Sequence, residues 1–464
     1  MDNNTTQLTE LLRCFCLKRI CDTEDFATAE GRILDDLFVS LTDAMGHALE
    51  DFDDALLKDK ERAWHVKDKR FRTILTEFGD VTFARRIYID ECADRRSLLD
   101  EILAIRPRKR LSPGAFESLA YFGGEIPYGR AAKTCFRHCQ TKVSPMTTLA
   151  TLREVGDLLE KAARQARHSL FSDGIIPDAE HKALEICVED DGIWVPLQGE
   201  GRRSVEIKAL CAYQNKSDGR RMGCTHYAAV AKPKRFFEEA IAYVGRRYAL
   251  DRIRRIWAGS DGGGWDKTFH EYFPTDIEIT HKLDPWHLNR AIKVAWPDKA
   301  DQKDLFELLY QGDIDGLLSV LRLRADTGFG DRDKTRALIT YIENHYTSIV
   351  VKSPSLGTME STNAHLYAAR MKAFGGAWSI EGASDMARIR SRVFSGDDLP
   401  APKREQAFGP RDIRRRDKVR NQLLDRINAG VQSVGEGYEP PCGSMPILSV
   451  SQTARELRAF LNRE

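Results

Sequence analysis

The stretch from 181 to 260 constrains the fold more than any other. HKALEICVEDDGIWVPLQ (181–198) is an apolar, β-branched run that ends in acids, then Gly192 and a second β-rich run. SVEIKALCAYQ (204–214) and RMGCTHYAAVA (221–231) read as two further strands. A helix is expected over about 233–249, followed by the strand RIRRIWAGS (252–260). Such segments bury their apolar faces by layering helices on a mixed sheet, so an α/β fold is expected. Two acids fall at expected strand ends beside glycine: Asp191 before Gly192, and Asp261 before Gly262-Gly263-Gly264. Acids there can project into a crevice with little bulk to block a ligand.

The flanking regions differ in character. Residues 1–66 read as helices, with Ile33, Leu37, Leu41, Met45 and Leu49 at helical spacing between Glu30 and Leu57. The far end is acidic (Glu50, Asp51, Asp53, Asp54) and ill suited to face DNA. In RTILTEFGDVTFARRIYID (72–90) the period changes, and Phe78-Gly79-Asp80 is expected to turn a hairpin with arms 72–77 and 81–89. Arg85 and Arg86 on the second arm suit phosphate contacts, or simply a solvated face. Residues 104–143 hold eight basic and two acidic side chains, Lys133 and Arg137 among them. Helices are expected at about 114–122, from Pro127, and from Ser144-Pro145, where an N-cap precedes a helix-starting proline. The last two suit a helix-turn-helix as well as ordinary core packing, with Met146, Thr147, Thr148 and Arg153 as groove-facing candidates.

Residues 298–350 are strongly helical in pattern, and after Gly357 a helix resumes with Glu360, whose Ala364 and Tyr367 at i+4 and i+7 can face the same sheet edge. In the tail, 401–420 carries eight basic and three acidic residues, including Arg414, Arg415 and Arg416. This is a phosphate-binding strip or a solvated helix face. A glycine- and proline-rich linker (435–446) and a last helix (449–462) complete the chain. The expected divisions are 1–66, 67–175, 176–297, 298–350, 351–395 and 396–464.

Lysine and arginine number 71 against 70 acids, a formal charge of +1, so any anionic partner must be held by local patches. No apolar run approaches the roughly 18 residues of a membrane span. The start, MDNNTTQLTELLRCFC, lacks the basic and apolar blocks of a secretion signal, and a cytoplasmic protein is expected. Ten cysteines are sparse for a disulfide-stapled fold. Neither Cys14-Cys16-Cys21 nor Cys135-His138-Cys139 has the paired spacing of a zinc module, so both groups read as ordinary thiols.

Asp191, Asp261 and Glu360, from two strands and one helix, form a set that two hard cations could use. Two such ions about 3.5–4 Å apart activate an oxygen nucleophile and steady the leaving oxygen, which is phosphodiester chemistry. Read from spacing alone, Asp-Gly pairs are equally turn signals.

Five blocks together resemble a family of bacterial insertion-sequence transposases, long described as an uncharacterised protein family and akin to the Mutator-like transposases. VEDDGIWVPLQ (188–198) is similar to its first catalytic block, and GSDGGGWDKTF (259–269) to its G-D-G-A-x-W block, with Gly263 in place of alanine. KLDPWHLNRAI (282–292) resembles its L-D-x-F-H block, with Trp286 where phenylalanine is usual. GTMESTNAHLYAARMKAFGGAWSIEGASDMARIR (357–390) resembles its last block, and KDKRFRTILTEFGDVTFARRIYID (67–90) its T-x-F-G-x-V segment. The likeness runs in order over about 65–395 and does not reach the tail.

The resemblance implies a ribonuclease H-like core with an Asp-Asp-Glu triad of Asp191, Asp261 and Glu360, using two Mg²⁺ ions for which Mn²⁺ can substitute. Asp191 is preferred because the family's acid directly precedes the glycine, with Glu189 and Asp190 as rivals. Asp284 and His287 match a D-x-x-H signature, and either orient the site or contact the DNA end. His287 alternatively caps and packs at the start of helix 285–295. The helical stretch 298–350 fits an insertion before the glutamate. The partners implied are double-stranded DNA, as terminal inverted repeats and target, and further copies of the chain in a dimer or larger assembly. A stand-alone nuclease, a co-opted DNA-binding protein and a small-molecule phosphohydrolase are the competing expectations.

Overall fold

The computed structural model describes residues 3–57, 64–89, 93–140, 142–199, 201, 203–217, 220–260, 266–354, 356–402 and 414–425. It is a mixed α/β protein that divides into two compact units. The first comprises 1–122, 129–147 and 401–464, and the second 123–128 and 148–400. Among the described residues no helix is long and apolar enough to cross a membrane. The expected linker 435–446 and last helix 449–462 lie outside the described residues.

In the first unit, α1 (Asn3–Cys21) and α2 (Phe26–Leu57) precede a sheet of β1 (His65–Thr76), β2 (Gly79–Ile89) and β3 (Arg95–Arg96), then α3 (Leu98–Ile102). The hairpin is present, but β1 starts earlier than expected, and Thr76 pairs with Gly79 across a two-residue turn at 77–78. Gly79 has φ +124°, a conformation that a side chain would strain. Helix α2 lies on β2 through its acidic end. Glu50 accepts the Ala84 N–H at 2.7 Å, and the buried Asp53 accepts the Arg86 N–H at 3.2 Å. Those acids take backbone N–H groups of β2, the middle strand of the sheet, which explains their density near the helix end. Of the expected apolar stripe on α2 only Leu49 is buried, while Leu41 and Met45 are exposed. A helix over 414–425 adds Val419 to this unit's core beside Phe83, Tyr88 and Leu99.

Helices α4 (Pro113–Glu125), α5 (Tyr128–Cys139) and α6 (Pro145–Phe171) carry the chain from one unit to the other. The start of α6 is where the sequence puts it, with the Thr147 N–H donating to Ser144 Oγ at 3.1 Å.

The second unit is built on β4 (Glu185–Pro196), β5 (Ser204–Tyr213), a short ribbon of β6 (Lys216–Ser217) and β7 (Arg220–Arg221), β8 (Thr225–Ala229), α7 (Pro233–Arg247), β9 (Arg255–Ser260) and β10 (Glu278–Leu283). The five-stranded sheet has the order β10-β9-β4-β5-β8. Strands β4, β5 and β8 are antiparallel neighbours, whereas β9 runs parallel to both β4 and β10. Strand β10, with its alternating polar residues, was not anticipated from the sequence. Even-numbered residues of β4 (Ile186, Val188) join Leu210, Tyr227 and Ile256 in a core covered by Phe236 and Phe237 of α7. The opposite face receives α13 (Met359–Thr362), a π-helical turn (Asn363–Ala368), α14 (Ala369–Met371) and α15 (Ile380–Phe394). Before them come α8 (Pro285–Ala295), α9 (Lys299–Gln311), α10 (Ile314–Thr327), α11 (Arg332–Asn344) and α12 (Tyr346–Val350), the first four around a core of their own.

The acids of β4 require a correction. Asp191 was expected at a strand end, with Gly192 turning the chain. The structure has one continuous strand paired to β5 from Cys187↔Tyr213 to Pro196↔Ser204. Strand β9 accompanies it only as far as Glu189. Asp191 therefore stands mid-strand, just beyond the last residue that β9 covers. A Cβ on Gly192 would meet the Glu206 carboxylate, so this glycine serves a close approach and not a turn.

Candidate active site

Alternation along β4 puts Glu189 and Asp191 on the face opposite the α7 core, and Asp190 on the other side. Both site-facing acids are buried. Their partners separate their roles. Glu189 accepts four hydrogen bonds: from the Gly357 and Thr358 N–H groups at 2.7 Å each, Thr358 Oγ1 at 2.7 Å and Tyr213 Oη at 2.6 Å. It thereby pins the two residues that lead into α13. Asp191 accepts the Gly192 N–H at 2.7 Å and Asn363 Nδ2 at 2.8 Å. Asn363 is three residues past Glu360, so one hydrogen bond docks the glutamate's helix on the strand that carries Asp191.

The sequence placed Ala364 and Tyr367 on Glu360's sheet-facing side. Tyr367 is buried, but Ala364 is exposed, and Asn363 makes the contact instead. The π-helical turn that begins at Asn363 changes the angular spacing, which a 3.6-residue period cannot anticipate. Buried Arg370 and Arg390 brace the segment by donating to the Gly123 and Gly124 carbonyls.

Asp261 lies outside the described residues. Strand β9 ends at Ser260 immediately before it, and the Ser260 carbonyl accepts the Asp284 N–H at 2.9 Å. Asp284 is buried and caps α8, its carboxylate accepting the Trp286 N–H at 2.9 Å. The cap of this helix is thus Asp284 and not His287. Burial pushes the Asp284 carboxyl above its ordinary range, and the Glu189 and Glu360 carboxylates push the same way, against the Trp286 hydrogen bond and His287. His287 Nε2 is 4.0 Å from Asp284 Oδ2, buried and without a hydrogen-bond partner among the described residues. Its ring stands edge-on to Trp286.

The buried Asp284 carboxyl thus feels Glu189 of β4 and Glu360 of α13, a repulsion that adds to the larger effect of burial. A hard divalent cation with oxygen ligands would relieve that repulsion, so the donor set fits Mg²⁺ or Mn²⁺. Asp191 and Glu360, linked through Asn363, are the residues that would hold it.

The other expected residues are dispersed. Arg85 pairs with Asp100 at 2.9 Å, and Arg86 with buried Asp53 at 2.7 Å and with Asp54 at 2.6 Å. These guanidiniums are engaged in ion pairs within the unit and are mostly covered. Lys133 and Arg137 are exposed on α5, and Arg153 is exposed on α6. Thr147 is half-buried and engaged with Ser144, and Thr148 is buried. Arg414 and Arg416 are exposed on the 414–425 helix, whereas Arg415 is half-buried and its charge acts on Tyr88. Sequence reasoning missed Asn363 and took Glu189 only as a rival acid.

A family model described as an uncharacterised protein family, UPF0236, matches residues 26–406. A UPF0236 protein of Caldanaerobacter subterraneus subsp. tengcongensis is 24% identical over 377 residues, covering 77% of this chain and 78% of the relative. A second from that organism, whose name joins eleven loci, is 24% identical over 378 residues, covering 77% of each. A UPF0236 protein in the vanSb 3′ region of Streptococcus gallolyticus is 23% identical over 377 residues, covering 76% of this chain and 80% of the relative.

Proposed function

The chain belongs to the UPF0236 family of uncharacterised proteins, and from that premise we propose that it is a DDE-type DNA transposase. The observation that carries the reading is the Asn363–Asp191 hydrogen bond, which joins the Glu360 helix to the central strand while β9 runs up to residue 261 beside it. Three antiparallel strands continued by two parallel ones, in the order β8-β5-β4-β9-β10, support a ribonuclease H-like core. The eleven loci named for one relative suit a gene carried in many copies, as an insertion sequence is. The exposed Lys133, Arg137 and Arg153 support a helix-turn-helix role for α5 and α6 in holding the terminal inverted repeats. Two element ends must meet, so the working form is a dimer or larger assembly on nucleoid DNA in the cytoplasm.

A bound pair of divalent cations would supply activation of water or a 3′-hydroxyl and neutralise charge on the phosphate. The chain's own groups do the rest. Gly192 N–H and Asn363 fix the direction of the Asp191 carboxylate. Glu189 fixes the backbone leading into Glu360. Nε2 of His287, without a hydrogen-bond partner among the described residues, is placed to meet a group of the substrate.

The test uses purified protein, a duplex bearing the element end, and Mg²⁺ or Mn²⁺. Asp191→Asn, Asp261→Asn and Glu360→Gln each abolish strand cleavage and retain end binding. Full cleavage by any one of them removes that residue from the triad, and failure of the wild type to bind or cut the end overturns the reading.

A further inference from the structure

A second cluster of chemically active side chains lies on the same face of the sheet. Glu189 pairs in register with Cys211 of β5, and Cys211 with His226 of β8, so the three form one row across neighbouring strands. Cys224, one residue before β8, reaches into the row. Its Sγ is 3.3 Å from Cys211 Sγ and 3.2 Å from His226 Nε2. Among the described residues this is the one group of three His, Cys, Asp or Glu whose ligand atoms all lie within 4.8 Å of each other. Cys211 and His226 are buried and Cys224 is partly buried.

The geometry points to a thiophilic metal site in which Cys211 Sγ, Cys224 Sγ and His226 Nε2 bind one Zn²⁺. Zinc–sulfur bonds of about 2.3 Å and zinc–nitrogen bonds of about 2.0–2.1 Å put tetrahedral ligands about 3.5–3.8 Å apart. The two contacts of Cys224 need to open by only about half an ångström to reach that spacing, and all three ligand atoms lie within 4.8 Å of one another. Two thiolates and an imidazole are soft to borderline donors, which select zinc over the hard cation suited to the carboxylates. Three protein ligands leave one tetrahedral position for water.

The electrostatics without metal are consistent with such a role. The Cys224 thiol is driven well below its ordinary range by the hydrogen bond from Cys211, with His226 and Arg221 acting in the same direction against burial. The Cys211 thiol is driven well above its range by burial and by Cys224. The 3.3 Å contact between the sulfurs suits one thiol donating to one thiolate. Zn²⁺ makes both thiolates stable, releasing the proton on Cys211.

The site also reaches the glutamate helix. Arg221 NH1 donates to Cys211 Sγ at 3.1 Å and to Thr362 Oγ1 at 2.9 Å, with Thr358 Oγ1 at 3.4 Å. Thr358 and Thr362 flank Glu360 by two residues on either side. Metal bound at Cys211 therefore fixes the anchor of the arginine that holds α13, whatever chemistry that helix serves.

Co²⁺ is the probe, because tetrahedral thiolate ligation gives it a charge-transfer band and strong visible bands that carboxylate ligation does not. Full-length protein kept under a phosphine reductant should bind one equivalent with those bands, and Zn²⁺ should erase them. The triple variant Cys14→Ser, Cys16→Ser, Cys21→Ser, altered only on α1, should keep the full signal. Cys224→Ser and, separately, His226→Asn should lose most of it while remaining folded by circular dichroism. Should either variant fail to fold, Zn²⁺ protection of wild-type Cys224 from alkylation, read by peptide mass, gives the same answer. A wild-type spectrum without the thiolate band, a band undiminished in folded Cys224→Ser, or alkylation unaffected by Zn²⁺ overturns the assignment.

Discussion

Removing the Glu189 carboxylate should destabilise the second unit more than the isosteric change Asp191→Asn. Glu189→Ala deletes the acceptor of two backbone N–H groups, Gly357 and Thr358, that cannot rotate to another partner. A buried donor left unsatisfied costs about 1–3 kcal/mol; Gly357 is exposed and Thr358 half-buried, so water relieves part of this and the pair predicts a loss toward the lower end of about 2–6 kcal/mol. The Thr358 hydroxyl can rotate to another partner, whereas the fully buried Tyr213 hydroxyl adds to that sum. Glu189→Gln keeps a carbonyl at the position facing both N–H groups and turns the hydroxyls into acceptors, so its loss should stay under about 2 kcal/mol. Asp191→Asn gives up at most one hydrogen bond and should cost about 1 kcal/mol. Urea unfolding measures the order, and hydrogen exchange locates the cause: the Gly357 and Thr358 amides should lose protection in Glu189→Ala. Wild-type stability in that variant, or unchanged protection of both amides, would show that Glu189 does not hold the approach to α13.

Other consequences follow from single contacts. Gly46→Ala in α2 puts a Cβ 2.6 Å from the Thr82 carbonyl oxygen. Overpacking of about 1–3 kcal/mol should outweigh the helix-propensity gain of about 1 kcal/mol and lower the melting temperature, whereas a raised one would mean the helix is not seated there. Burial pushes the Asp385 carboxyl up to about 7, with Asp157, Glu160 and Glu381 acting in the same direction and Arg388 opposing. Its protonated form is thus favoured in the folded state, so this contribution is full below pH 3.8 and lost as pH rises through about 7. Asp385→Asn should therefore gain on the wild type by at most about 4 kcal/mol between pH 4 and 8, and a difference flat with pH would refute it. Changing Arg414, Arg415 and Arg416 to glutamine should flatten the slope of log K against log salt for DNA by about 2–3 and spare end preference. A wild-type slope would leave the strip as surface.

What the sequence disclosed depended on whether a local pattern carried the information. The α6 cap at Ser144-Pro145, the hairpin and the strands of 181–260 were legible, because each is written in neighbouring residues. The continuity of β4 was not. Glu189, Asp190 and Asp191 look like the end of an apolar run, yet all three are buried inside a strand, where tertiary hydrogen bonds offset the cost of the site-facing pair. Asn363 was hidden by the π-helical turn. The cysteine trio was hidden by register, since residues 211, 224 and 226 meet only once β5 and β8 pair. Spacing rules that rejected the cysteine groups near 14 and 135 say nothing about ligands brought together across a sheet.

The row Gly259–Glu189–Cys211–His226 explains why so much chemistry shares one surface. A strand sends alternate residues to opposite faces, and here the α7 side of β4, β5 and β8 is mostly apolar, with Asp190 the buried acid there. Polar residues with buried partners are left to the other face, which receives the glutamate helix instead of a second continuous apolar layer. Gly259 keeps that row open on the β9 side, because a Cβ there would come within 3.1 Å of Glu189 Cγ. On the far side the row ends at His226, whose backbone N–H donates to Ser395 Oγ just past α15 at 2.8 Å. The segments that precede and follow Glu360 are therefore each tied to this row, Thr358 through Glu189 and Ser395 through His226. A change at either end of the row should reach Glu360 without touching it, which makes the row a mechanical element of the site as well as its floor.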